Sequence, residues 1–137
     1  MKNNHRSLNG RIPSIAELIY GILGLTFLQH RRLTRILQNN VYSILSILAD
    51  RHPMYFPGAP FTLYGRLMHS KQVENALSRL GGVITVDAPR YKYMRFSEDE
   101  LPCVKQNLEQ WFSRKNRQII KKLAREFYRE LKKLNGR

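Results

Sequence analysis

Apolar positions in the first half of the chain follow a helical period. Ser14 followed by Glu17 fits a capping box, in which each residue binds a backbone N–H of the other. Apolar residues then recur every three or four positions across residues 15–28, which predicts a first helix central to a core or to a dimer. The same period continues over residues 33–50 and predicts either one helix or two helices separated at Asn39 and Asn40. Pro53 is predicted to end this helical region.

The pattern becomes shorter and more varied after this point. Residues 61–69 predict a brief helix, and residues 71–80 predict a clean amphipathic helix that ends at two glycines. Two runs rich in β-branched and aromatic residues follow, at 83–86 and 91–96, separated by a turn that contains Pro89. These two runs predict a β-hairpin.

The last third of the chain is predicted to be helical again. Asp99 is expected to cap a helix that has Pro102 in its first turn and an apolar stripe over residues 101–112. A second stripe runs over residues 119–134, with basic side chains on the remaining surface. The expected fold class is therefore mainly α with a small β-hairpin (α+β), with an apolar N-terminal helix and a basic C-terminal helix.

Charge changes this picture most strongly at the C-terminus. The 137 residues carry 24 Lys and Arg against 10 Asp and Glu, a formal net charge of +14. This length favours a single globular domain over residues 1–112, with a basic helix over residues 113–137 that holds ten of the cations and two of the acids. Such an excess attracts polyanions, so nucleic acid is the leading partner and an anionic membrane surface is the second.

Catalysis and metal binding find little support in the sequence. Cys103 is the only cysteine, so neither an intramolecular disulfide nor a zinc finger is expected. Glycine-rich phosphate loops, serine nucleophile elbows and metal-ligand spacings are absent, and the protein is expected to be non-enzymatic and without a cofactor. The apolar run 12–28 is too short for a membrane span and no cleavage site follows it, so a cytoplasmic or nucleoid-associated location is expected.

The segment VENALSRLGGVI, followed by RYKYMRFSEDEL, resembles the helix, glycines, strand and wing of the winged helix-turn-helix family. The resemblance covers about residues 41–112. It implies that the first helix of the motif lies at 41–50, the second at 61–69, the recognition helix at 71–80 and the wing at 83–96.

If the resemblance holds, the recognition helix presents side chains that can bind purine edges in a major groove. They are Lys71, Gln72, Asn75 and Arg79. On the wing, Arg90 and Lys92 would contact phosphates or enter the minor groove, with Arg95 nearer the body. The alternative is that the helix residues form an ordinary solvated face.

The basic C-terminal helix is the stronger candidate for contact with nucleic acid, since each neutralised phosphate releases counterions. Its candidate residues are Arg114, Lys115, Arg117, Lys121, Lys122, Arg125, Arg129, Lys132 and Lys133. One alternative is a solvated helix with the internal pairs Lys122–Glu126 and Glu130–Lys133. Another is a helix that lies on a membrane or against a partner helix.

Aromatic rings near the loop and hairpin are a weaker candidate, because exposed rings can stack on unpaired bases but such rings are more often part of a core. They are Tyr55, Phe56, Phe61, Tyr64, Tyr91 and Tyr93.

The sequence favours a nucleic-acid-binding protein, with double-stranded DNA preferred over RNA as the ligand. The apolar helix 14–30 would then serve a homodimer or a protein partner. The alternative is a small basic structural subunit of a ribonucleoprotein assembly that grips DNA or RNA without reading its sequence. In size, basicity and helix content the chain is similar to the small helical subunits of CRISPR effector complexes.

Overall fold

The computed structural model describes residues 13–56, 82–87, 91–96 and 98–135. Its helices and strands are α1 (Ile15–Gln29), β1 (Ile36–Leu37), α2 (Gln38–Arg51), β2 (Gly82–Asp87), β3 (Tyr91–Phe96), α3 (Leu101–Trp111) and α4 (Arg114–Asn135). The predicted class is confirmed, because the described residues are mainly helical with a small antiparallel sheet. The predicted helices at 61–69 and 71–80 lie outside the described residues.

The predicted β-hairpin is confirmed, and it carries a further strand. Strands β2 and β3 are antiparallel, and β1 pairs with the other edge of β3, so the strand order is β1-β3-β2. Met94 at the centre of β3 lies opposite Ile36 on one side and Ile84 on the other. The helical pattern predicted from residue 33 is therefore wrong at its start: Ile36 and Leu37 pair with the hairpin, and α2 begins at Gln38 and ends just before Pro53. Asn39 and Asn40, the alternative break, lie inside α2.

Helix α1 is the central element of the core. Its predicted capping box is present: Ser14 Oγ accepts a hydrogen bond from the Glu17 backbone N–H at 3.2 Å, and the Ser14 backbone N–H donates to Glu17 Oε1 at 2.8 Å. Tyr20 is fully buried between Phe96 and Trp111, with ring centroids 5.3 and 5.2 Å away. The middle of the apolar stripe that suggested a dimer is thus covered by this chain, whereas Leu25 and Leu28 near its end are only partly buried. A partner bound through residues 14–30 stays a prediction.

Helices α3 and α4 complete the core. The predicted cap at Asp99 is wrong: residues Glu98–Glu100 form a 3₁₀ turn, and the N-cap of α3 is Glu100, whose side chain makes no capping hydrogen bond. Pro102 occupies the first turn as predicted. The backbone is extended at Phe112, which ends α3, and α4 begins two residues later at Arg114. The two helices contribute eight apolar residues to the cluster that holds α1: Leu101, Val104, Leu108, Trp111, Ile120, Leu123, Phe127 and Leu131.

No helix in the described ranges is both long enough and apolar enough to cross a membrane.

Two glycines allow α1 to approach its neighbours closely, and they predict different responses to alanine. A Cβ at Gly24 would lie 2.6 Å from Val104 Cγ1, and valine has one strongly preferred rotamer in a helix. A Cβ at Gly21 would lie 2.8 Å from Ile120 Cδ1, the far end of a side chain that can turn, and 3.2 and 3.3 Å from Ile120 Cγ2 and Cγ1, which need to shift by only a few tenths of an ångström. We expect Gly24→Ala to lower the free energy of unfolding by about 1–2 kcal/mol, because overpacking outweighs the gain in helix propensity.

Gly21→Ala is the matched control, and it is expected to change the free energy of unfolding by less than about 1 kcal/mol, because the two effects nearly cancel. Urea denaturation of both variants measures the difference. Equal stability of Gly24→Ala and the wild type would mean that α1 and α3 are further apart than described.

Candidate nucleic-acid interface

Helix α4 presents a continuous basic surface to solvent. The helix has 22 residues and is therefore about 33 Å long. Its apolar residues Ile120, Leu123 and Phe127 face the core. On the sides turned away from the core lie eight exposed cations: Arg114, Lys115, Lys121, Lys122, Arg125, Arg129, Lys132 and Lys133. We call these eight residues the α4 basic face.

The two acids of α4 are turned toward α2. Arg51 donates from Nη1 to Glu126 Oε1 at 2.9 Å and from Nη2 to Glu130 Oε2 at 3.2 Å. His52 Nε2 lies 3.0 and 3.1 Å from the two carboxylate oxygens of Glu126. Arg51 is the last residue of α2 and His52 is its C-cap. Between 74 and 79 residues of sequence separate them from the acids they bind.

This arrangement corrects one of the two predicted pairs on the helix. Among the ion pairs of the described residues, Lys122 does not pair with Glu126, whose carboxylate binds Arg51 and His52. The second pair is confirmed, with Lys133 Nζ 3.4 Å from Glu130 Oε2. Because α2 holds both acids, the α4 basic face keeps most of its positive charge for an external anion.

The same contacts set the acidity of the two carboxyl groups. Burial by itself would raise the pKa of Glu126, but hydrogen bonds from His52 and Arg51 outweigh it and hold that pKa below its ordinary value. The hydrogen bond from Arg51 lowers the pKa of Glu130, against a smaller opposing effect of burial. Both groups are therefore ionised in the folded protein at neutral pH.

These lowered pKa values predict how stability depends on pH. The unfolded chain binds protons at these two sites more readily than the folded chain, so their contribution is present above the ordinary glutamate pKa of 4.5 and is lost as pH falls through the lower folded values. We expect the free energy of unfolding, measured with urea at pH 6, 5, 4 and 3, to fall below about pH 4.5. The double variant Glu126→Gln/Glu130→Gln should show a shallower fall, and an unchanged slope would contradict the role assigned to the two acids.

The end of α1 is attached to the other side of α4. The rings of His30 and Tyr128 stack with centroids 3.5 Å apart, and the Lys132 ammonium lies 5.8 Å from the Tyr128 ring centre. Burial lowers the pKa of His30, and the charge of Lys132 lowers it further. The neutral imidazole thus adds no charge to this end of the helix near pH 7.

Arg117 differs from the other candidates on α4. Its Nη1 donates to the backbone carbonyls of Glu109 at 2.7 Å and Phe112 at 3.0 Å. These carbonyls lie at the end of α3, where the helix leaves its last acceptors unpaired and a cation is favourable. Arg117 therefore holds the corner between α3 and α4, although its charge remains.

The candidates on the hairpin and recognition helix are placed only in part. Lys92 lies on β3, and Arg95 is half-buried on the same strand, where it shares a face with Tyr93 rather than with the buried Met94. The Tyr93 ring lies under the Arg35 guanidinium at 4.0 Å. Five predicted contacts lie outside the described residues: Lys71, Gln72, Asn75, Arg79 and Arg90.

Among the aromatic candidates for base stacking, Phe56 is 3% exposed and belongs to the core. Tyr55 is half-buried and packs against that core. Phe61 and Tyr64 lie outside the described residues, and Tyr91 is on β3.

A groove of about 660 Å³ lies between α1, α3 and the first half of α4. Its apolar lining is Leu25, Leu28, Leu108 and Ile120. Its polar lining has a single carboxylate, Glu109, two amides, Gln29 and Gln118, and five cations: Arg31, Lys105, Arg114, Arg117 and Lys121. We call it the α1–α3–α4 groove.

Two cations of this groove, Arg31 and Lys105, were not predicted from the sequence. Arg31 follows the end of α1, and Lys105 lies beside the buried Val104 on α3. Arg31 stands beside Arg32 in the link after α1, and Lys105 is the single cation of α3, so neither forms a periodic basic pattern that marks a site. Only the packing of three helices brings them close to the cations of α4.

No protein-family model matches the chain, and no curated protein or solved structure is significantly similar to it.

Proposed function

We propose that this protein binds nucleic acid without catalysing a reaction, and that the α4 basic face is its principal contact with the phosphate backbone. The observation that carries the proposal is the eight exposed cations along about 33 Å of helix, with both acids of that helix held by α2. A surface of this kind is far more basic than a soluble protein of this size requires.

Double-stranded DNA is the proposed ligand. One strand of duplex DNA carries a phosphate every 3.4 Å of its axis, so a helix of this length faces a comparable number of charges. The winged helix-turn-helix arrangement is part of the proposal, with residues 71–80 in the major groove and the β2–β3 hairpin as the wing. Its support is the antiparallel pairing of β2 with β3 and of β3 with β1, which attaches the hairpin strands to the residues just before α2.

The second candidate is a ribonucleoprotein subunit that grips DNA or RNA without reading its sequence. The α4 basic face supports it, because exposed Lys and Arg side chains along a helix suffice to bind phosphates. Phosphate contacts fix position and add affinity, whereas sequence choice needs contacts to base edges. Residues 71–80, with Gln72 and Asn75, would supply those contacts only in the first candidate.

The affinity of the full chain for three ligands across a salt series tests the proposal. The ligands are a random-sequence duplex DNA, the matching single strand and a structured RNA of equal length. If six to eight phosphates are contacted, the logarithm of the duplex binding constant should fall with the logarithm of salt concentration with a slope of about −5 to −7.

The three ligands separate the two candidates. Preference for the duplex supports the winged-helix candidate, and tighter binding of the single strand or the RNA supports the ribonucleoprotein candidate. If the protein binds none of the three ligands at 50 mM salt, the proposed function is wrong.

A further inference from the structure

The α1–α3–α4 groove combines an apolar wall with an excess of cations. Leu25 and Leu28 are only partly buried and lie in its wall, so apolar surface faces a cavity of about 660 Å³. Five cations surround that apolar surface, against a single carboxylate. Concave sites with a mostly apolar lining and a few convergent polar groups are typical of ligand pockets, and this volume lies within their usual range.

The lining specifies the chemistry of a ligand. The cations favour an anion, and Arg114 and Lys105 offer guanidinium and ammonium donors suited to phosphate oxygens. The leucines favour a flat or apolar body beside that anion. Gln29 and Gln118 add amide donors and acceptors at the rim, which can hydrogen-bond to the edge of a heterocycle. A nucleotide, with its phosphate and planar base, has all three features.

The groove is also continuous with the α4 basic face. Arg114 and Lys121 belong to both, so a strand whose phosphates follow α4 passes the mouth of the groove. We infer that the groove accepts one unpaired nucleotide of a bound strand, with its base against Leu25 and Leu28 and its phosphate on Arg114 and Lys121. This inference rests on the proposed function, because a strand bound along α4 is what brings a nucleotide to the groove.

A single-nucleotide bulge tests this inference with the full chain. Three duplexes of equal sequence are compared at one salt concentration: one intact, one with a bulged 2-aminopurine, and one with an abasic residue at the bulge. The last two carry the same phosphates and differ only in the base. We expect the bulge with a base to bind about tenfold more tightly than the abasic bulge, since stacking of one base contributes on this order.

The fluorescence of 2-aminopurine reports directly on the base. Transfer from the helical stack or solvent into the groove should change its intensity at saturation. Equal affinity for the base-containing and abasic bulges, without a fluorescence change, overturns the inference and leaves the proposed function intact if all three duplexes bind. Failure of all three to bind overturns the proposed function instead.

A pair of matched variants connects the effect to the groove. Leu28→Gln makes the apolar lining polar, and Ile47→Gln makes the same kind of change at an α2 residue that is 39% exposed and does not line the groove. Leu28→Gln should abolish the tenfold preference while keeping the salt slope, and Ile47→Gln should keep both. Loss of preference in both variants, or in neither, contradicts the placement of the base. If Leu28→Gln does not fold, the comparison of bulges with the wild type still decides.

A free nucleotide is the other source of the same chemistry. AMP is titrated to about 1 mM, the upper end of typical enzyme KM values, and the displacement of the bulged 2-aminopurine from the groove is measured. Adenosine, which has no phosphate, is the control. Displacement by AMP and not by adenosine supports the assigned site and shows that it also takes free nucleotides. Persistence of the bulge signal with both compounds assigns the groove to nucleotides within a strand.

Discussion

Neutralising the centre of the α4 basic face should weaken binding to duplex DNA by roughly 10- to 60-fold at 0.1 M salt. The variant is Lys122→Gln/Arg125→Gln, and both residues are exposed on the side of α4 opposite the core. Each lost phosphate contact removes about 0.9 from the slope of the logarithmic salt dependence, which corresponds to about eightfold in affinity at 0.1 M salt. The expected salt slope is therefore less steep by about 1.8.

The matched control separates local contact from overall charge. Gln106→Glu/Gln110→Glu on α3 lowers the net charge by two, as the α4 variant does, but at exposed residues outside the α4 basic face. We expect this control to retain most of the affinity and nearly all of the salt slope. Equal losses in the two variants would mean that the protein attracts nucleic acid by its net charge alone, without a surface on α4.

Removing the Phe127 side chain should cost about 3–5 kcal/mol of unfolding free energy, the range found for large-to-small changes at buried aromatic residues. Phe127 is 0% exposed and belongs to the same core cluster as α1 and α2. The loss would be a large part of the stability of a domain of this size. Urea denaturation of Phe127→Ala against the wild type measures it.

Leu134→Ala is the control on the same helix, because Leu134 is 46% exposed. Its effect on the free energy of unfolding is expected to stay within about 0.5 kcal/mol. A cost below about 1 kcal/mol for Phe127→Ala would show that α4 is an appended arm rather than part of the core. The expected result instead means that the core holds the backbone of the α4 basic face in place, so that only its exposed side chains have to be ordered when it binds a strand.

The sequence predicted the elements whose signals are local. The capping box at Ser14 and Glu17 involves groups three residues apart, and the apolar stripes of α1, α3 and α4 recur within one or two helical turns. The β2–β3 hairpin needs only two runs rich in β-branched and aromatic residues that lie close together in the sequence. In each case residues close together in the sequence determine the local conformation, so the local pattern is enough to predict the element.

Local signals misled where a distant partner competed for the same residues. Ile36 and Leu37 fit the helical period of the segment that follows them, yet they pair with β3 because Met94 offers them a strand edge 58 residues further along the chain. Asp99 is a different case, without a distant partner: it lies inside the 3₁₀ turn Glu98–Glu100, and the N-cap falls one residue later, at Glu100.

The candidate site divides in the same way. The basic C-terminal helix and its apolar stripe were predicted from charge and spacing alone, because both repeat within the helix. Which of its charges remain available was decided by the tertiary structure, where Arg51 and His52 of α2 bind the two acids. The α1–α3–α4 groove likewise exists only after three helices pack, because its cations Arg31, Lys105 and Lys121 are brought together by contacts between residues far apart in sequence. Periodicity and composition determine which face of an element is apolar or charged, whereas the partner of that face depends on which other element buries it, and that choice is made by the whole chain.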